Sequence, residues 1–207
     1  MVDIRKSEIR EHQGLSAKYN KFNHLATFNS TESSFYLSFG TALLESLIRM
    51  KLAPEYGDLI WDRLLAQFRV AETQALGKEH FVFFFKLVNI LREASLQDAI
   101  QWLDSYLTRN TENTVNKLDY VIRCLLVSLD QSDELLMTSP FNTKYHKKVI
   151  EKVVHGLNID LFIIDSDGRR MFIEACPEEN NILVCLHRDA LDNYYVCLLY
   201  TSDAADE

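Results

Sequence analysis

No stretch of this chain is apolar for long enough to cross a bilayer. Phe81–Phe85 puts five apolar residues in a row, against the roughly 20 that a spanning helix needs. Basic clusters are missing too. The 22 Lys and Arg are outnumbered by 30 Asp and Glu, for a formal net charge of −8, which argues against nucleic acid or an anionic membrane as the main partner. The four cysteines (Cys124, Cys176, Cys185 and Cys197) have no paired spacing, so neither a disulfide framework nor a zinc site is expected. That usage fits a reducing compartment, cytoplasmic or also nuclear. The six His are dispersed and form no metal-ligand motif, so no metal and no cofactor are expected. Met1–Arg10 is charged throughout, unlike a signal peptide or an anchor. Internal repeats and low-complexity linkers are absent.

What remains is an ordinary globular composition in 207 residues, most economically one domain with a substantial core. Its organising stretch is Phe28–Met50. Asn29, Ser30, Thr31, Glu32, Ser33 and Ser34 form a polar entry that runs into an apolar helix. Phe35, Phe39, Leu43, Leu47 and Met50 recur at steps of three and four, and Tyr36, Leu44 and Ile48 widen the stripe. Small hydroxyl residues before such a run accept the first free backbone N–H groups. Ser34 therefore stands at the amino end of a buried helix. An enzyme could use a nucleophile there, where the helix dipole stabilises negative charge. On residue chemistry alone, an ordinary helix cap is the simpler reading of the same residue.

Before this helix, Ser7–Phe28 is polar with a few apolar anchors and reads as a short helix or an arm laid on the core. After it, Pro54 and Gly57 mark a turn, and helical spacing covers Asp58–Leu76. Glu79–Glu93 is dense in Phe and Leu but long enough for a helix buried on more than one face. Ser95–Arg109 is amphipathic, with Ser95 and Asp98 at capping-box spacing. Asn110–Asn116 reads as a polar loop and Lys117–Leu129 as a helix. A further helix follows the turn at Ser139, with Gly156 as its expected C-cap. The period then shortens. Asn158–Asp165, Met171–Ala175 and Ile182–His187 read as strands, a turn falls at Ser166-Asp167-Gly168, and Tyr194–Val196 starts another strand. Helices first and strands last predict an α+β domain.

The segment Thr31-Glu32-Ser33-Ser34-Phe35-Tyr36-Leu37-Ser38-Phe39 resembles the nucleophile region of the otubains (peptidase C65, in the OTU superfamily of cysteine deubiquitinases). That family carries Asp-Gly-Asn-Cys-Phe-Tyr-Arg-Ala-Phe there, running into a long helix, and the Leu43-Leu44-Glu45 continuation also agrees. Lys18-Tyr19 fits the family's lead-in. Leu118-Asp119-Tyr120-Val121 with the following Arg-Cys-Leu-Leu is similar to a later otubain helix, and Leu157–Asp165 falls on the first strand of the carboxy-terminal sheet. The resemblance runs from about Leu15 to Val196. It implies an OTU-like, papain-type fold with a helical amino-terminal part followed by an antiparallel-rich sheet. Its implied boundaries are an arm at 1–27, the otubain-like domain at 28–196 and a tail at 197–207.

The chemistry that the resemblance implies is isopeptide hydrolysis, in which a Cys thiolate attacks, a His transfers the proton and an Asp orients the site. Here the Cys position holds Ser34, the Asp position Thr31 and, in the family's His-Tyr-Asp strand motif, the His position Asn193. An amide is no general base at neutral pH, and a hydroxyl without a base stays protonated. Three replacements together are the pattern of a pseudoenzyme. The resemblance further implies substrate contacts at Ser33, Phe35 and Tyr194, and ubiquitin, polyubiquitin or a ubiquitin-conjugating (E2) enzyme as partners. Two other readings stand beside it. One is an active deubiquitinase using Ser34 or an unaligned Cys, with a register shift bringing in His187; Cys176 and Cys185 read rather as strand residues. The other is a scaffold that has left the ubiquitin system. Finally, Cys197–Glu207 (CLLYTSDAADE) resembles, letter for letter, a translated sequencing adapter, so the native chain is expected to depart from this sequence near Val196.

Overall fold

A computed structural model describes residues 7–8, 24–26, 34–52, 54–109, 112–130, 134–142, 146–175 and 182–198, with backbone alone at 7–8, 24–26, 54–55, 106–109, 112–115, 134–135 and 198. Thr31, Ser33, Cys176 and residues 199–207 lie outside this set, as do residues 9–23 of the expected arm.

Helix α1 (Ser34–Arg49) is the centre of the molecule. A buried helix with a wide apolar stripe was expected, and the burial is complete: every residue from Ser34 to Ile48 is buried, the polar ones included. A helix buried all round must also bury its polar side chains, and these need partners. Ser46 donates to the Leu183 carbonyl at 2.8 Å, and Glu45 pairs with Arg49 one turn on at 2.9 Å. Against α1 pack α2 (Pro54–Gln74), α3 (Lys78–Glu93), α4 (Leu96–Arg109) and α5 (Glu112–Asp130), and α6 (Lys147–Leu157) packs on α5 and β3 (Ile159–Asp165). The Phe-rich run is helical, with Phe81, Phe84 and Phe85 turned into the core. Helix α2 begins at Pro54, four residues before the expected start, because proline suits a first helical turn that needs no N–H. Helix α5 absorbs most of the segment expected as a loop. At the start of α4, Ser95 Oγ accepts from the Asp98 N–H at 3.1 Å and donates to its carboxylate at 2.7 Å.

Gly156 is not the cap of α6. Asn158 takes the left-handed conformation there, at φ 51°, which Asn tolerates better than most side chains. Gly156 lies inside the helix for another reason: a Cβ at this position would come within 2.7 Å of a Leu129 methyl, so glycine lets α6 approach α5.

Among the described residues the sheet has six strands, in the order β1-β2-β6-β5-β3-β4. They are β1 (Ser7–Glu8), β2 (His24–Ala26), β3 (Ile159–Asp165), β4 (Arg170–Ile173), β5 (Ile182–Arg188) and β6 (Tyr194–Leu198). Every pairing is antiparallel except β3 with β5, which run parallel. The fold is thus the expected α+β one, helical first, with a mixed but antiparallel-rich sheet. The described parts of the amino-terminal arm are strands, and β2 pairs with β6. Strand β6 continues past Val196 through Cys197 and Leu198, and Cys197 is buried. Gly168, at φ 82°, makes the predicted turn between β3 and β4. Among the described residues no helix is long and apolar enough to cross a membrane.

Arg123 on α5 ties the segment after α5 to the core. It is buried, bonds Asp119 at 2.7 Å and donates to the carbonyls of Leu136 and Ser139 at 2.7 and 2.8 Å. Its guanidinium also lies 3.8 Å from the centre of the Tyr36 ring, whose hydroxyl donates to the same two carbonyls. Arg123→Ala removes the ion pair to half-buried Asp119 and leaves the two carbonyls with the Tyr36 hydroxyl alone, and is expected to cost about 3 kcal/mol. A lowered urea midpoint with an unchanged denaturant slope is the expected reading; an unchanged midpoint would refute this role.

Candidate functional site

The first residue of α1 and the first residue of β6 meet at the position that sequence singled out. The Tyr194 N–H donates to Ser34 Oγ at 3.2 Å, and Ser38 Oγ donates to the Tyr194 carbonyl at 2.8 Å. Both hydroxyls thus face one peptide segment because they lie one helical turn apart on α1. The Ser34 side chain is 2% exposed. Phe35 and Tyr194, expected as substrate contacts, are core residues. They are 3% and 1% exposed, and their rings meet edge to face at 5.0 Å. Phe141 stacks on Phe35 at 3.7 Å, on the segment that Arg123 and Tyr36 hold in place.

Asn193 is turned toward Asp189. Its amide nitrogen donates to Asp189 Oδ2 at 3.0 Å, and its backbone N–H donates to Oδ1 at 2.9 Å. Oδ1 also accepts from the Leu191 N–H at 2.8 Å, and Oδ2 from the Tyr195 hydroxyl at 2.6 Å. Burial alone would push the Asp189 carboxyl up. The hydrogen bonds from Tyr195, from Asn193 and from the two backbone N–H groups outweigh it and hold the carboxyl below its ordinary value. The reciprocal effect appears on Tyr195, whose phenol is pushed up to about 12 by burial and by its bond to this carboxylate.

His187 lies directly across from Tyr195 in the β5–β6 ladder, with the ring centres 5.9 Å apart. Successive strand residues face opposite sides of a sheet. Tyr194 packs with Phe35 on the α1 side, so Tyr195 and His187 belong to the other side, away from Ser34. A register in which His187 serves Ser34 does not fit this geometry. Cys185 shares the His187 face, and burial pushes its thiol well up, which disfavours the thiolate that a nucleophile needs. Burial also raises the Cys124 thiol. That residue borders a separate cavity of about 380 Å³ between α2 and α5, with Ala71, Leu76, Tyr120 and Met137. Among the described residues, no group of three or more His, Cys, Asp or Glu is placed to hold a metal ion.

Sequence reasoning brought Ser34 and the Asn193-Tyr194 pair to one place but missed Ser38 and Asp189. Asp189-Ala190-Leu191-Asp192-Asn193 was legible as a turn, since Asp and Asn side chains bond backbone N–H groups a few residues on. That its carboxylate would also hold the Asn193 side chain was not.

No protein-family model and no curated protein matches the chain. Solved structures do. One is a chain of the h/ceOTUB1–ubiquitin aldehyde–UBC13~Ub complex, with a TM-score of 0.53 and 11% identity over 86% of this chain and 77% of that one. Another is a chain of the ceOTUB1–ubiquitin aldehyde–UBC13~Ub complex, with a TM-score of 0.54 and 10% identity over 91% of this chain and 87% of that one. The likeness is one of fold, and it is the fold that the Phe-Tyr segment implied.

Two measurements check the site. Ser34→Ala leaves the buried Tyr194 N–H without its acceptor and is expected to cost about 1–3 kcal/mol; a variant as stable as the parent in urea would show the bond to be dispensable. Asp189, whose carboxyl is depressed in the folded state, contributes stability that is complete above its unfolded pKa of about 3.9 and is lost as pH falls through the folded value. Asp189→Asn should therefore flatten the acid limb of the urea midpoint plotted against pH. An unaltered limb would assign the acid sensitivity to other carboxylates.

Proposed function

We propose that this chain is an otubain-like protein of the ubiquitin system that binds ubiquitin, polyubiquitin or an E2 enzyme and does not hydrolyse the isopeptide bond. The observation that carries the reading is the use of the nucleophile position. Ser34 Oγ accepts the Tyr194 N–H, so the hydroxyl serves as a latch between helix and strand. The flanking position fits the same reading. Asn193 gives its amide to Asp189, and an amide can neither take the proton from an attacking hydroxyl nor return it to a leaving amine. Thr31, at the family's Asp position, adds no charge that could balance an imidazolium.

Partner choice follows from the neighbours. The matched chains come from complexes with ubiquitin aldehyde and UBC13~Ub, so ubiquitin and an E2 are the partners to try first. Affinity in such a protein comes from burying apolar and aromatic surface around a few anchors. Fold alone does not settle function, and the retained scaffold matters here because the chemistry at its centre has been replaced.

Linkage-defined di-ubiquitins separate the alternatives when binding and release of mono-ubiquitin are followed on the same samples. Saturable binding without cleavage is expected. Cleavage abolished by Ser34→Ala would instead make Ser34 a working nucleophile. Neither binding nor cleavage at high concentration would leave a scaffold outside the ubiquitin system.

A further inference from the structure

The inner face of α2 loses volume toward its carboxy end. Ile60, Leu64 and Phe68 are large and buried, but the next two positions on that face are Ala71 and Ala75. Residues three and four apart share one face of a helix, so two small side chains in succession leave a gap where large ones would have packed. Across the gap α5 presents Tyr120, Cys124 and Val127, again about one turn apart. The result is the cavity of about 380 Å³, which falls within the roughly 300–1,000 Å³ of small-molecule sites. Its mouth is already built. The Gly77 N–H donates to the Tyr120 hydroxyl at 2.8 Å. A Cβ at 77 would come within 3.1 Å of that hydroxyl and 2.8 Å of the His80 ring, so glycine lets the link between α2 and α3 lie against α5.

The lining sets the chemistry that the cavity accepts. Among the described residues, the side chains that border it carry no charge. Tyr120 and Cys124 can ionise, but burial pushes both the phenol and the thiol up, so both stay neutral at pH 7. A charged ligand would give up its water here and find no counter-ion. Met137 and Cys124 bring sulfur to the walls and Tyr120 brings a ring, and both kinds of group favour an aromatic neighbour. Gln74 adds an amide that can bond the polar edge of a heterocycle. Leu76 borders the same cavity and is 99% exposed. An apolar molecule in the cavity would give that side chain the cover it lacks.

We infer that the cavity between α2 and α5 is a binding site for a small, neutral aromatic molecule, with Leu76 packed against it at the mouth. The site shares no residue with the Ser34–Tyr194 latch. It is therefore independent of the ubiquitin reading, and either can fail without the other.

Calorimetric titration of the full chain with indole tests the inference, with indole-3-acetate and cyclohexanol as anionic and aliphatic comparisons. Saturable one-to-one binding of indole is expected, at least about tenfold tighter than indole-3-acetate and tighter than cyclohexanol. Ala75→Leu puts volume into the gap and should abolish indole binding while the urea midpoint holds or rises. Leu76→Asp changes a solvent-facing side chain, so it keeps the fold even where the cavity-filling variant does not. It should weaken indole binding at least about threefold. Indole that fails to bind at millimolar concentration overturns the inference. Binding that Leu76→Asp leaves unchanged places indole elsewhere and also overturns it. Indole-3-acetate or cyclohexanol binding as tightly as indole overturns the assigned class of ligand.

Discussion

Burial of α1 on every side is the constraint from which the rest of the structure follows. A helix surrounded by other elements cannot leave its polar atoms in water, so its hydroxyls are stabilised by partners in whatever covers them; among the described residues, buried Thr41 Oγ1 is the exception, with no hydrogen-bond partner. On the sheet side those partners are backbone groups. Ser34 and Ser38 take both peptide groups of Tyr194, and Ser46 takes the carbonyl of Leu183. These bonds fix β5 and β6 along the helix more specifically than apolar contact could, because a strand shifted by one residue would present the wrong groups to the hydroxyls. Opposite the sheet, Gly40 does related work without a hydrogen bond. A Cβ there would come within 2.8 Å of Ile122 on α5, so the two helices pack at a distance that only glycine allows.

The same constraint explains which parts of the fold were legible in sequence. Helices α2 to α5 and strand β4 carry their periods openly, since each has a wetter and a drier face, whereas β3 and β5, buried on both faces over most of their length, show as short apolar runs. The Phe run in α3 was readable because fifteen residues of mixed Phe, Leu, Arg and Glu outlast any ordinary strand. Termini were less legible for a physical reason. Whether α6 ends at Gly156 or Asn158 depends on which residue must touch Leu129, a fact of tertiary packing that no local pattern holds. The described parts of the amino-terminal arm are strands because β6 has an open edge to pair with, which the sequence of β2 alone does not announce.

At the site, legibility divided along the same line. Ser34 could be placed at a helix start from local chemistry, and the Asn193-Tyr194 pair from resemblance. Their meeting is a long-range fact, 160 residues apart in sequence. What could not be foreseen is that the meeting would consume the groups concerned. Phe35 and Tyr194 were expected as substrate contacts from the resemblance; here the two rings pack on one another, and Phe35 also on Phe141, with almost no surface left. Asp189 escaped notice because a single Asp in a turn is common, and its importance lies in how many donors converge on it.

If the chain does not cleave, as proposed, positions 34 and 193 are free to serve stability. A working nucleophile must stay unbonded enough to attack, and its base must keep a lone pair for the proton, so an active site holds back hydrogen bonds that would otherwise steady the fold. Ser34 and Asn193 hold nothing back. The first closes the junction of α1 and β6, and the second completes the cage around Asp189. Placing a thiol at 34 and an imidazole at 193 would therefore have to break these bonds before it could align a catalytic pair. The turn steadied by that cage lies next to the latch, so the side chains at 34 and 193 firm the same end of the molecule.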